Sequence, residues 1–148
     1  MPPIPGLTKP MCVEYYAQLT EEYSDILLAH LYGHTHSDLF AMIEGPNSGK
    51  PVGVVNISPS VIPTYNPTVR VFEYDSQSKK LINIHQYYAN VEDTKQIENA
   101  DFEIEYDALS AYGMASLSVE EWQKLFDKIN TDQYYAELYN RYKYVSSV

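Results

Sequence analysis

Leu31-Tyr32-Gly33-His34-Thr35-His36-Ser37-Asp38-Leu39-Phe40 closes an apolar run that begins at Ile26, and its reading decides the fold. The run reads as a strand delivering His34 and His36. Side chains alternate along a strand, so two histidines two residues apart at its end project to one side, and Gly33 lets the backbone approach a ligand closely. Neutral imidazole is the commonest protein ligand for zinc and related ions, but a closed or catalytic site needs more than a pair of ligands. The rest of the chain adds no obvious partner. His30 lies inside the apolar run, His85 is far along, Cys12 is alone, and no Cys pair, HExxH or EF-hand loop is present.

Working outward, residues 1–10 carry four of the nine prolines and read as an extended loop. Over residues 11–25, Cys12, Tyr15, Tyr16, Leu19 and Tyr23 recur at helical intervals, predicting a helix that leads into the strand. Residues 45–50 form a turn between the short apolar segments 39–43 and 52–57, predicted to be adjacent strands. A loop stiffened by three prolines, 58–67, precedes two β-rich runs, 69–75 and 81–91, which read as a hairpin across 76–80.

The last third reads as helical. Phe102, Tyr106, Leu109 and Gly113 keep a helical interval, with Gly113 as terminator. Residues 118–121 form a capping box, Leu117 is placed to staple against Trp122, and Val119, Trp122, Leu125, Phe126 and Ile129 make one apolar stripe. A final helix is expected over 132–144, with Tyr134, Tyr135, Leu138, Tyr139 and Tyr142 on one side. The fold class is therefore α/β, with α+β character at the C-terminus.

The formal charge of −10 excludes nucleic acid as a natural partner, because the ten Lys and Arg residues are scattered rather than clustered. No run is long enough to span a membrane, and Met1-Pro2-Pro3-Ile4-Pro5-Gly6 lacks the basic start and apolar core of a signal peptide, so on its face the chain is cytosolic or incomplete. A single cysteine rules out an internal disulfide, and the fifteen tyrosines read mostly as packing residues.

Read together, the segment 31–40, Ser58-Pro59-Ser60-Val61-Ile62-Pro63, Asn66-Pro67 and Arg70-Val71-Phe72-Glu73-Tyr74-Asp75 resemble, in order, the C-terminal half of acid sphingomyelinase-like phosphodiesterases. These are calcineurin-like metallophosphoesterases. His85 and Asn90 fall where those enzymes carry a strand with a His...Asn pattern, and Ala111-Tyr112-Gly113 resembles the helix that follows. The resemblance implies part of a four-layer metallophosphoesterase β-sandwich with flanking helices. Residues 1–95 would be the C-terminal part of the catalytic domain, and 96–148 a C-terminal helical subdomain.

It further implies a two-metal centre, zinc or another divalent ion, in which His34 binds one ion and His36 the other. The remaining ligands belong to DxH, GD, GNH and GHxPP motifs N-terminal to this segment. Met1-Pro2-Pro3 matches the end of the last one, so the N-terminal half of the domain, with the histidine that protonates the leaving group, is expected to lie outside this chain. No catalytic residue is assigned here, and the isolated chain is expected to be inactive. Tyr65 is assigned to the substrate head group, although the loop from Pro63 to Asn66 is shorter than is usual in the family.

The implied substrate is a phosphodiester, foremost a phospholipid such as sphingomyelin. An endopolyphosphatase, a nucleotide phosphodiesterase or a non-catalytic truncated product are the alternatives. A full-length parent would be secreted or lysosomal/vacuolar; its secreted relatives usually carry disulfides, for which Cys12 has no partner here.

Other polar residues read more simply. Asp38 is a loop-capping carboxylate or one that supports the ligands, and His85 is a hydrogen-bonded strand residue near Asn83 and Gln86. Asn56-Ile57-Ser58 fits a glycosylation sequon but ends a buried strand, which argues against modification.

Overall fold

The computed structural model describes residues 1–62, 64–91 and 101–146, so Pro63 and the division at 95/96 lie outside the described residues. The fold is mixed α/β, with two three-stranded sheets and four helices among the described residues. None of these helices is long and apolar enough to cross a membrane.

Helix α1, Pro10–Glu22, starts on a proline whose fixed φ suits the first helical turn. It lays Tyr16, Ala17 and the buried Thr20 on one face of the first sheet and leaves Met11 and Tyr15 exposed. It ends three residues short of the expected 25, in a turn where Leu27 N donates to Tyr23 O at 3.0 Å. The apolar run that follows is a strand only at β1, His30–Tyr32; Ile26, Leu27 and Leu28 are exposed and lie outside any strand. Hydrophobicity makes a strand only where a neighbour offers hydrogen bonds, and the pairing here begins at His30.

Strands β2, Leu39–Glu44, and β3, Pro51–Ile57, flank the expected turn as an antiparallel pair, while β1 runs parallel to β3 on its other side. Glu21 secures that turn by accepting from Asn47 N at 2.9 Å and Ser48 N at 2.8 Å. Lying centrally with both faces covered, β3 is buried from Gly53 to Ile57. Val55, Ile57 and Ile43 face α1 and Ile4, while Val54 faces the main core. At Gly53 a β-carbon would stand 2.9 Å from His30 Nε2 and 3.0 Å from Thr20 Cγ2, so glycine is what permits α1 and β1 to close on β3.

The second sheet has the order β4-β5-β6. Strands β4, Thr68–Asp75, and β5, Lys80–Tyr88, form the expected hairpin. The expected helix through Phe102 and Tyr106 is instead strand β6, Glu103–Asp107, antiparallel to β5. Its sequence Glu-Ile-Glu-Tyr-Asp alternates with period two, and the free edge of β5 supplies hydrogen bonds that an isolated segment cannot anticipate. Helix α2 is confined to Ala108–Tyr112; Asp107 caps it by accepting from Ser110 N at 3.0 Å, and Gly113 ends it at φ 62°.

Helix α3, Val119–Thr131, starts as expected at Ser118, whose hydroxyl accepts from Glu121 N at 3.4 Å. The box is only half formed, because Glu121 reaches Ala115 N at 3.1 Å and Lys124 Nζ at 2.5 Å instead. Trp122 and Leu125 are buried with Leu117, Val119 and Ile129 around them, whereas Phe126 falls off the stripe to the surface. Helix α4, Gln133–Lys143, packs Tyr135, Leu138 and Tyr142 against the core and leaves Tyr134 in solvent. Tyr142 stacks on Tyr106 at 4.1 Å between ring centres, joining α4 to β6.

Candidate functional site

Strands β1 and β3 are parallel and end together, with Tyr32 opposite Ile57, and β2 begins opposite the same residue at Leu39. Residues 33–38 therefore pass over the end of β3, and residues 58–62 leave that end beside them. The amide of Ser58 donates to Tyr32 O at 2.8 Å, tying the two loops at their origin. The carboxyl ends of parallel strands are where α/β folds place ligand sites, because neighbouring loops diverge there.

The segment that carries His34 and His36 is a turn rather than a strand end. His34 has φ 89° and His36 φ 59°, so the left-handed conformation falls on the histidines and not on Gly33. The expectation that strand alternation aims both rings to one side fails for this reason. Thr35 Oγ1 stiffens the turn, accepting from Ser37 N at 3.4 Å. His34 is exposed, and His36 is half-buried with Nδ1 3.4 Å from Thr64 Oγ1 on the neighbouring loop. The next residue on that loop, Tyr65, is half-buried edge-on to Tyr144, with ring centres 5.2 Å apart. Asn66 is buried, donating to Val145 O at 2.9 Å and accepting from Val91 N at 3.2 Å.

The loop's far end is held by Asp38, read from sequence as a loop-capping or ligand-supporting carboxylate, and by Arg70, Tyr106 and Gln86, to which sequence reasoning gave no such role. Asp38 is buried and its Oδ2 accepts from both Arg70 Nη2 on β4 and Tyr106 OH on β6. Arg70 Nε also donates to Gln86 Oε1 at 2.8 Å, and Arg70 Nη2 to Tyr106 OH at 3.2 Å. Burial works most strongly against the charge on Arg70, but the facing Asp38 carboxylate together with the Tyr106 and Tyr112 hydroxyls outweighs it, and the guanidinium stays firmly protonated. Burial, then the Asp38 charge, pushes the Tyr106 hydroxyl well above its usual range, so it is a neutral donor. One signal was legible: Arg70 shares the inward register of β4 with Phe72, and an inward-facing arginine requires a carboxylate.

Beside this cluster Glu105 accepts from Ser146 Oγ at 2.8 Å, while its Oε2 is buried without a hydrogen bond. Burial raises its pKa to about 7. His85, as read from sequence, is a hydrogen-bonded strand residue, 3.2 Å from Glu73 across the hairpin. Asn56 is buried on β3 with Nδ2 3.4 Å from Val54 O, which closes the sequon in the folded chain. His30 is buried against Tyr16 OH at 2.5 Å from Nδ1, and that burial lowers its pKa.

Two imidazoles on one turn are a donor pair suited to zinc, and they fit a share of a metal site. Among the described residues no group of three or more His, Cys, Asp and Glu stands together as a complete one.

Residues 51–147 match the family model for the acid sphingomyelin phosphodiesterase C-terminal region. The chain is similar to a sphingomyelin phosphodiesterase A of Dictyostelium discoideum, 29% identical over 130 residues, which is 86% of this chain and 22% of that protein. It is 34% identical over 120 residues to a cyclic GMP-AMP phosphodiesterase of Bos taurus, covering 76% of this chain and 26% of the relative. With an acid sphingomyelinase-like phosphodiesterase 3b of Homo sapiens it shares 28% over 144 residues, 90% of this chain and 31% of the other. The chain thus spans less than a third of the length of these relatives.

Proposed function

This chain belongs to the acid sphingomyelinase-like phosphodiesterases, and from that premise we propose that it is the C-terminal part of a two-metal phosphodiesterase, with His34 a ligand of one zinc ion and His36 of the other. The observation that carries this reading is the turn over the end of β3, where two successive alternate residues, both histidine, hold left-handed backbone. Such conformations cost on the order of 1–3 kcal/mol each in non-glycine residues and cluster where function requires them.

Ions held by these histidines and the ligands of the longer protein would supply Lewis acidity and activate water toward a phosphodiester. His34 and His36 offer ring nitrogens from one rigid turn. Thr64 engages Nδ1 of His36, leaving Nε2 as the nitrogen that binds. Tyr65 presents an aromatic ring, steadied by Tyr144, at the border of the substrate head group. On this reading the two sheets belong to a four-layer sandwich completed by DxH, GD, GNH and GHxPP motifs of the longer protein, and the 148 residues alone are expected not to turn over substrate.

The substrate class is a phosphodiester, foremost a phospholipid such as sphingomyelin. A nucleotide phosphodiester is the second reading, favoured by the 34% identity to a cyclic GMP-AMP phosphodiesterase. With a net charge of −10, the chain needs the metals to receive either anion. The test is a longer protein carrying the upstream DxH and GNH motifs, assayed for zinc content and for hydrolysis of sphingomyelin and cyclic GMP-AMP. His34→Ala and His36→Ala should each remove about one zinc equivalent and lower turnover by orders of magnitude, about 100-fold or more, with unchanged circular dichroism. Two retained metals and near-normal rates in either variant would refute the assignment.

A further inference from the structure

The turn bearing the histidines is fixed at entry by the Ser58 amide on Tyr32 O and inside by Thr35, but neither contact holds its exit. Asp38, two residues beyond His36, is held from three elements. Its carboxylate receives Arg70 from β4 and Tyr106 from β6, and its amide donates to Lys143 O at the end of α4, at 3.2 Å. Arg70 is itself oriented by Gln86, and its side chain is 4% exposed. A buried charge pair adds little net stability over apolar residues of the same volume, whereas fixed donors on one oxygen define position sharply.

We propose that Asp38, clamped by Arg70, Tyr106 and the Lys143 carbonyl, is the positioning residue that holds His34 and His36 in their left-handed turn. Through this clamp the second sheet and α4 set the geometry of a turn carried by the first sheet. The consequence for metal binding rests on the reading of His34 and His36 as ligands; the consequence for the turn does not.

The experiment has two arms. In the 148-residue chain, NMR couplings and 13C shifts of His34 and His36 report φ directly. Tyr106→Phe removes a single hydroxyl, and Arg70→Lys keeps the charge while losing the planar fork. Both should erase the positive-φ signature and broaden the amides of residues 33–38. Leu125→Ala, a core change on α3 that removes none of the clamp's hydrogen bonds, should lower Tm and leave those signals intact. In the longer metal-loaded protein, with zinc as the probe, Tyr106→Phe should weaken affinity about 10-fold. Unaltered turn signals in both clamp variants, or their loss in Leu125→Ala, would overturn the proposal. Zinc retained in full by His36→Ala would overturn the ligand reading instead. Zinc lost in His36→Ala but bound at full affinity by Tyr106→Phe and Arg70→Lys would overturn the positioning role alone.

Discussion

Glu105→Gln should make this protein more stable above neutrality and leave it unchanged in acid. The Glu105 carboxyl is mostly buried; one oxygen is held by Ser146 Oγ at 2.8 Å and the other has no hydrogen bond. Burial is the largest cause of its raised pKa, the Ser146 contact opposes it, and the charges facing it are Asp38, which raises it further, with Arg70 and Arg141, which lower it. In the unfolded chain the group ionises near 4.5, and in the folded chain at about 7. Its contribution to stability is therefore complete below 4.5 and is lost as the pH rises to about 7. That span corresponds to about 3 kcal/mol, at roughly 1.4 kcal/mol for each tenfold change in ionisation.

Glutamine keeps the shape and cannot ionise, so the variant should escape the loss. The assay is urea unfolding of both proteins at pH 5 and pH 8, reading the difference between them so that every other titrating group cancels. A gain of about 3 kcal/mol at pH 8 and less than about 1 kcal/mol at pH 5 is expected. Equal stabilities at pH 8, or a larger gain at pH 5, would refute the reasoning.

Arg70→Met leaves the Asp38 carboxylate buried without its cation and should cost about 3–5 kcal/mol, measurable as a lower urea midpoint with m unchanged. The edge of β1, unpaired among the described residues, with Leu31 46% exposed and Ile26 73% exposed just before it alongside Leu27 and Leu28, should make the chain self-associate. Sedimentation velocity should show a shift to monomer in an Ile26→Lys, Leu31→Lys double variant; a wild-type chain that stays monomeric at high concentration would count against it.

Where structure is local, the sequence was sufficient. The β2–β3 turn, the β4–β5 hairpin, the Ser118 cap and the Trp122–Leu125 stripe each follow from residues within a few positions of one another, because turn chemistry, capping and amphipathic periodicity act over that range. The ordered set of motifs beginning at Gly33-His34-Thr35-His36 was likewise enough to place the chain in its family.

Tertiary contact decided the rest. Phe102 and Tyr106 share a helical interval, yet Glu103–Asp107 became a strand because β5 offered an open edge. The apolar run from Ile26 is a strand over only three residues because only those meet β3. The histidines lie on a left-handed turn rather than a strand end, and the clamp at its exit joins residues 32, 36 and 68 positions apart. A buried carboxylate, a guanidinium and a phenol find one another only after both sheets and α4 have packed, since the stability of such a pair depends on excluding water from all of them at once.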